Sequence, residues 1–433
     1  MPDDTRPPAK GRSTVARHAT LRSRHPFVEF LAILAVVVGV VGVSATGVAA
    51  YTVWDAATTL SDNAVVLDED VVLPPSLGAI EGAVDVLVVG TDSCDGQDVA
   101  LFPRCANNDS PGERNDVTML LHITDNPRRV TVISFPRDML VPIPGCPRED
   151  GNGDYSAMSE QMINVSYMYG GLACTVRTVE ALTEEKIEFA AAIRWTGVIN
   201  MSDAIGGVDV CVSGDISDPI HTGLSLSAGP HTLVGSEALQ FLRIRHGIGD
   251  GSDLGRISNQ QQFMSSMVRK LKSEAVLANP PLLFNLATTA LSQKRGGQLV
   301  LSSGLTNPSL MVQIAMAVKD VPYEDIVFVQ YPTVYAPGGG ASRVLPVYSA
   351  AEELFAALRE NRPLTLTGEA SQGNGVDVTG EVVVPTPSAA PDAEATPGAT
   401  DAADPALAEE RVALPDSITG TTAKDITCTR PDR

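Results

Sequence analysis

Arg243, Arg245 and Arg256 fall with Gln260, Gln261 and Gln262 in one short stretch of a strongly acidic chain. That chain carries 31 Lys and Arg against 52 Asp and Glu, a formal net charge of -21. A cationic cluster on such a background points to an anion site. Arg256 and Gln260 are four residues apart and share a face if the stretch is helical. Arg243 and Arg245 are two apart and share a face only if the backbone there is extended. Three further segments combine Asp or Arg with an expected strand end: Gly90-Thr91-Asp92, Arg114-Asn115-Asp116 and Pro136-Arg137-Asp138. Asp92 and Asp116 suit a hard divalent cation, which keeps water ligands and binds phosphate oxygens. Arginines offer those oxygens forked donors. Both together are what pyrophosphate chemistry requires: metal and guanidinium neutralise charge, and a carboxylate activates an attacking hydroxyl. Each segment alone also reads more blandly. An Arg/Asp pair is commonly a surface ion pair, Gly-Thr-Asp a turn, the glutamines a solvated helix face, and His246 an ordinary surface histidine. The conjunction carries the argument.

The elements that must position these groups can be read from apolar patterning. Strands are expected at Val84–Val89, Val117–Ile123, Val130–Ser134, Ile187–Trp195, Val208–Val212 and Ile326–Tyr331. Helices are expected at 175–182, 196–205, from 236 to about 240, 254–277, 282–292, 308–319 and 350–360, with Ser252 or Asp253 capping the fourth. Residues 142–160 and 213–232 read as loops. Strands alternating with helices over 84–332 predict an α/β domain. The Pro/Ala/Thr/Asp-rich run from Val382 to Ala408 predicts a linker or disorder, and 363–433 as a whole a mostly disordered tail.

Residues 1–27 are basic, and Val28 to Tyr51 is almost wholly apolar, long enough for one transmembrane helix. Between Thr52 and Pro103 there is no Lys or Arg. The N-terminus is therefore expected in the cytoplasm, with a stalk over 52–80 and a domain over 81–362 outside the membrane. The overall acidity excludes wrapping of duplex nucleic acid. All six cysteines lie on the expected outer side, where disulfides form. Neighbourhood favours Cys94–Cys105 and Cys146–Cys174, leaving Cys211 for Cys428.

Eight segments then stand together in one order: VDVLVVGTD (Val84–Asp92), RNDVTML (Arg114–Leu120), VTVISFPRD (Val130–Asp138), INVSYMYGG (Ile163–Gly171), DAIGGVDV (Asp203–Val210), AGPH (Ala228–His231), GSEALQFLRIRH (Gly235–His246) and GRISNQQQF (Gly255–Phe263). In these the chain resembles the LytR–CpsA–Psr family, over about 82–275, with cysteines and a tail like those of an actinobacterial member. The resemblance implies a single α-β-α domain with a central mixed sheet. It implies a phosphotransferase that moves a glycopolymer, or its linkage unit, from a polyprenyl-pyrophosphate carrier to a peptidoglycan sugar hydroxyl, forming a phosphodiester. By motif match, Asp92 and Asp116 hold Mg²⁺ (or Mn²⁺), while Arg114, Arg137, Arg243, Arg245, Arg256 and Gln260 grip the pyrophosphate. Asp138 orients Arg137 or assists the metal, and Asp116 or Asp92 deprotonates the acceptor. The prenyl chain needs an apolar cavity, for which Ile187–Trp195 and the helices after it are candidates, although the same residues read equally as core. Cys94, Met162 and Asn259 stand where the family often has a basic residue. A lipid-pyrophosphate hydrolase and a non-enzymatic wall-binding or regulatory protein are the rival readings.

Overall fold

The computed structural model describes residues 79–432, apart from 103–104, 107–111, 149–150, 275, 339–342, 373–374 and 384–409. The span expected at Val28–Tyr51 and nearly all of the stalk lie outside the described residues. Among the described residues no helix is long and apolar enough to cross a membrane.

The frame is a seven-stranded mixed sheet. Its strands are β1 (Val84–Thr91), β2 (Asn115–Ile123), β3 (Val130–Ser134), β4 (Phe189–Ile193), β5 (Leu299–Leu301), β6 (Ile326–Gln330) and β7 (Gly420–Thr422), in spatial order β5-β4-β1-β2-β3-β6-β7. β1, β2 and β3 form an antiparallel meander. β4 and β6 join its two sides in parallel, and β5 and β7 close the edges antiparallel. Among the described residues seven α-helices follow the pattern of the sequence: α1 (Ser166–Thr183), α2 (Trp195–Ala204), α3 (Gly235–Arg243), α4 (Asp253–Ser273), α5 (Pro280–Arg295), α6 (Pro308–Ala317) and α7 (Tyr348–Arg359).

The two faces of the sheet differ because side chains alternate along a strand. Leu87 and Val89 of β1, with Ala190 and Ala192 of β4, join the main core against α1 and α7. Val88 and its cross-strand partner Met119 point the other way, into a cavity walled by α2, α3 and α4. Strand β4 thus contributes to core through its alanines and to the cavity through Ile193 at its end. The stretch therefore serves core and cavity lining through different residues.

The C-terminal part departs from the mostly disordered tail expected for 363–433. Gly420–Thr422 is an edge strand of the central sheet. Asp425–Thr429 lies in a second, four-stranded sheet with Gly229–Leu233, Val208–Val212 and Val376–Glu381. The signal was weak because these strands are short and rich in Thr and Asp; their partners, not an apolar run of their own, hold them. The loops expected at 142–160 and 213–232 also contain short strands, including Met158–Met162 and Ile216–Asp218. All three expected disulfides are present: Cys94–Cys105, Cys146–Cys174 and Cys211–Cys428.

Candidate active site

Helix α4 carries the glutamines, and its packing shows why a polar helix is buried. Asn259 is fully buried; its Nδ2 donates to Phe241 O at 2.7 Å and its Oδ1 accepts from Thr429 Oγ1. Gln262 Nε2 donates to Cys211 O and Thr427 O, and its Oε1 shares with Asn259 Oδ1 the single hydroxyl proton of Thr429. Gln261 Nε2 donates to Ser134 Oγ at the end of β3. These side chains satisfy backbone groups of the surrounding strands, which is what a buried amide must do. The helix face is therefore not solvated. Nor does Asn259 leave a charge missing from the anion site, because it faces the C-terminal strand.

Gln260 faces the cavity and is held by a bond from its Nε2 to Leu242 O at 2.9 Å. Arg256, one turn earlier, joins it on the same wall, as the four-residue spacing requires. The other wall is the end of α3. The helix runs on to Arg243 rather than stopping near Gln240, and Ile244 then turns extended (φ -60, ψ 133) and is fully buried. That change of backbone aims Arg243 and Arg245 into the same cavity. Arg243 lies over the Trp195 ring, 4.5 Å from its centroid, and Arg245 Nε donates to Gly251 O at 2.8 Å. Trp195 is backed by Phe102, Leu239 and the Cys94–Cys105 disulfide, so Cys94 serves as packing for this wall.

Asp116 and Arg137 close the third side. Arg137 Nη1 donates to Asp116 Oδ1 at 2.8 Å. Its Nε lies 3.4 Å from Asp253 Oδ1 and 3.7 Å from Asp138 Oδ2. Arg256 Nη2 donates to Asp116 O at 3.1 Å and pairs with Asp253 Oδ1. Burial would lift the Asp116 carboxyl, but Arg137, Arg256 and Arg243 outweigh it and hold it below the ordinary carboxylate value. Burial disfavours the charge on Arg137, yet Asp253, Asp116 and Asp138 raise its pKa, so it stays a cation. Asp138 is pushed up, first by burial and then by Asp253, against Arg137, Arg256 and Arg245.

Asp253 is the functional neighbour that motif reading missed. It sits in the first turn of α4 behind the Ser252 cap, where a carboxylate is favoured, and it lies within ion-pair distance of both Arg137 and Arg256. Its signal was present as an acidic residue three before an arginine at a helix start. Asp92, Arg114 and Asp138 stand beside the cavity rather than in its lining. Arg114 N donates to Asp92 Oδ1 at 2.8 Å, and Asp92 N donates to Arg114 O. The pairing of Thr91 with Asn115 sets Asp92 and Asp116 at the same end of the β1–β2 ladder. An all-oxygen donor set of this kind fits a hard cation bound by two carboxylates, waters and phosphate oxygens. Among the described residues no group of three or more His, Cys, Asp or Glu could hold a metal ion by itself.

The cavity of about 450 Å³ is thus mixed in character. Its lining includes the polar Asp116, Arg137, Arg243, Arg245, Arg256 and Gln260 and the apolar Val88, Ile193, Val198, Ile205, Phe263, Met264 and Met267.

The family model described as LytR_cpsA_psr family matches residues 51–340. The chain belongs to the LytR–CpsA–Psr family. Among curated LytR–CpsA–Psr relatives, the cell wall biosynthesis protein LcpA of Corynebacterium glutamicum is 31% identical over 48% of this chain and 44% of that one. The probable cell wall biosynthesis protein LcpB of the same organism is 31% identical over 47% and 46%. The chain spans about half the length of the curated relatives it matches. Of solved structures, B. subtilis TagV is 21% identical with a TM-score of 0.47, over 65% of this chain and 98% of that one.

Proposed function

We propose that the chain is a phosphotransferase of cell-wall assembly. It takes a glycopolymer, or the linkage unit of one, from a polyprenyl-pyrophosphate carrier and joins it through a phosphodiester to a sugar hydroxyl of peptidoglycan. The observation that carries this reading is the cavity itself: four guanidinium groups converge on it from three sides, and apolar side chains supply much of the rest of its lining, a combination suited to an amphiphile with an anionic head. Membership of the LytR–CpsA–Psr family and two relatives named for cell wall biosynthesis support the same reading.

In this mechanism the apolar interior takes prenyl carbons, and the head meets Arg137, Arg243, Arg245 and Arg256. Hydrogen bonds to Asp116 and the nearby Asp253 charge hold Arg137 and Arg256 before substrate arrives, so little reorganisation is needed as charge moves to the leaving oxygen. Asp116 and Asp92, at the same end of the β1–β2 ladder, would hold Mg²⁺ or Mn²⁺. When bound, that cation supplies further neutralisation of the phosphate oxygens. The acceptor oxygen bonds to the glycan-bearing phosphorus, the bridging P–O bond breaks, and polyprenyl phosphate departs.

The test is to incubate the protein with a lipid-pyrophosphate sugar, with and without peptidoglycan oligomers. Prenyl phosphate released together with a sugar–peptidoglycan adduct is the expected outcome. Release at the same rate without acceptor, and no adduct, would replace transfer by hydrolysis.

A further inference from the structure

One polar group in the cavity wall is left without a task in that mechanism. Asp218, at the end of the short strand Ile216–Asp218, is 3% exposed, and its Oδ2 is buried without a hydrogen-bond partner among the described residues. Its Oδ1 accepts from His221 Nδ1 at 2.8 Å and from the His221 backbone N at 3.1 Å. The Asp218 carbonyl also receives Gly223 N at 2.9 Å, so the turn carrying His221 is tied at both ends to one aspartate. Both residues line the cavity, as does His246.

The turn is anchored against the arginine segment in two ways. The His221 ring stacks on His246, centroids 4.1 Å apart, and His246 directly follows Arg245. Next to it Gly247 has φ +85, and a Cβ there would lie 2.5 Å from Ser217 O, so only glycine lets the two segments approach this closely. The side chain of His221 is nevertheless 55% exposed while that of Asp218 is 3% exposed. The imidazole therefore faces the solvent-open side of the cavity from a rigid base.

We propose that His221, oriented by Asp218, is the general base that takes the proton from the acceptor hydroxyl. A carboxylate only accepts, so the bond to Asp218 puts the ring proton on Nδ1 and leaves the Nε2 lone pair for a substrate. The lipid-linked donor fills the apolar interior and the arginine wall, so the acceptor sugar arrives from the open side, where Nε2 is available. As its oxygen bonds to phosphorus, the hydroxyl proton passes to Nε2. The electron pair of the broken P–O bond leaves on polyprenyl phosphate, among the arginines. The imidazolium, its Nδ1 still bonded to Asp218, then yields the proton to solvent. Asp116 Oδ1 is meanwhile engaged by Arg137, which suits it to fix that guanidinium.

This assignment rests on the phosphotransferase reading, and the experiment separates the two. Transfer from a lipid-pyrophosphate sugar to peptidoglycan oligomers is measured with the full chain, for wild type, His221→Ala, His221→Gln and Asp218→Asn. Binding of farnesyl pyrophosphate is measured alongside. General-base removal lowers turnover by about 10²-fold or more. Both His221 variants should lose transfer on that scale while binding farnesyl pyrophosphate as wild type does, and imidazole should restore the His221→Ala rate through the open side. Asp218→Asn should show a smaller loss. Transfer at the wild-type rate in both His221 variants overturns the dyad and leaves the transferase reading standing. Loss of farnesyl pyrophosphate binding in step with transfer, or no rescue by imidazole, gives His221 a binding or structural role and also overturns it. If wild type itself makes no adduct, the transferase reading falls and takes the dyad with it.

Discussion

Arg137 Nη1 lies 2.8 Å from Asp116 Oδ1 while its Nε faces Asp253, 3.4 Å away. One guanidinium thus links the start of β2 to the start of α4, and so joins two walls of the cavity. The same Asp253 oxygen pairs with Arg256, so the two arginines nearest Asp116 share one buried counter-charge. A site organised in this way presents fixed cations rather than mobile ones.

Arg137→Ala should therefore lower kcat/KM for transfer by about 10²- to 10³-fold, the usual cost of one preorganised donor to a developing anion. Arg137→Lys keeps the charge without the fork and should recover only part of that loss. Steady-state kinetics of the two variants check this, and unchanged kcat/KM in Arg137→Ala would remove Arg137 from the mechanism.

Asn259→Arg puts at this position the residue type common in the family. A surface position would accept it, but Asn259 is fully buried and bonded to Phe241 O and Thr429. The variant should lose about 3 kcal/mol or more of folding stability, because a buried charge is left without a partner. Denaturant unfolding measures it; a neutral or stabilising result would mean that Asn259 faces the anion site after all.

Much of the site was legible because its chemistry is written in residue type. Arg256 and Gln260 could be grouped from helical spacing alone, whereas Arg243 and Arg245 meet because α3 ends at Arg243 and Ile244 turns extended, not because the whole Arg-x-Arg is extended. Asp218 and His221 could not, because they lie in a stretch that reads as loop and become informative only when the Ile216–Asp218 strand sets them against His246. The Val84–Asp92 run announced β1 through its apolar residues. The strands at 420–422 and 425–429 stayed hidden because pairing and the buried amides of α4, rather than their own hydrophobicity, hold them.

Cys211 and Cys428 are 217 residues apart in sequence, and their disulfide fixes the C-terminal strand over α4. Replacing both by Ser should destabilise the domain by about 2–4 kcal/mol. Thermal or denaturant unfolding of the double variant under oxidising conditions checks this. An unchanged midpoint would show that the strand is held by its hydrogen bonds alone.

His122 Nδ1 donates to Asp85 Oδ1 at 2.9 Å across β1 and β2, and both residues are buried. Burial works against the imidazolium, but the hydrogen bond and charge of Asp85, with Glu185 and Glu188, raise its pKa above 6.5. The folded state then holds this proton where the unfolded chain has released it. The stabilisation is complete below pH 6.5 and is lost as pH rises through the raised folded value. Unfolding midpoints across pH 5 to 9 should show this decline in wild type and not in His122→Gln; parallel profiles would contradict it.

In the proposed mechanism one cavity holds an anionic head and a prenyl tail together. Titration calorimetry with pyrophosphate, geranyl pyrophosphate and farnesyl pyrophosphate, in wild type, Arg245→Ala and Met264→Trp, tests it most directly. Affinity should rise with chain length in wild type, by up to about 0.8 kcal/mol for each buried CH₂. Arg245→Ala should weaken all three ligands alike, and Met264→Trp should remove the dependence on length while leaving pyrophosphate itself bound. An affinity that does not change with chain length in wild type would contradict the account.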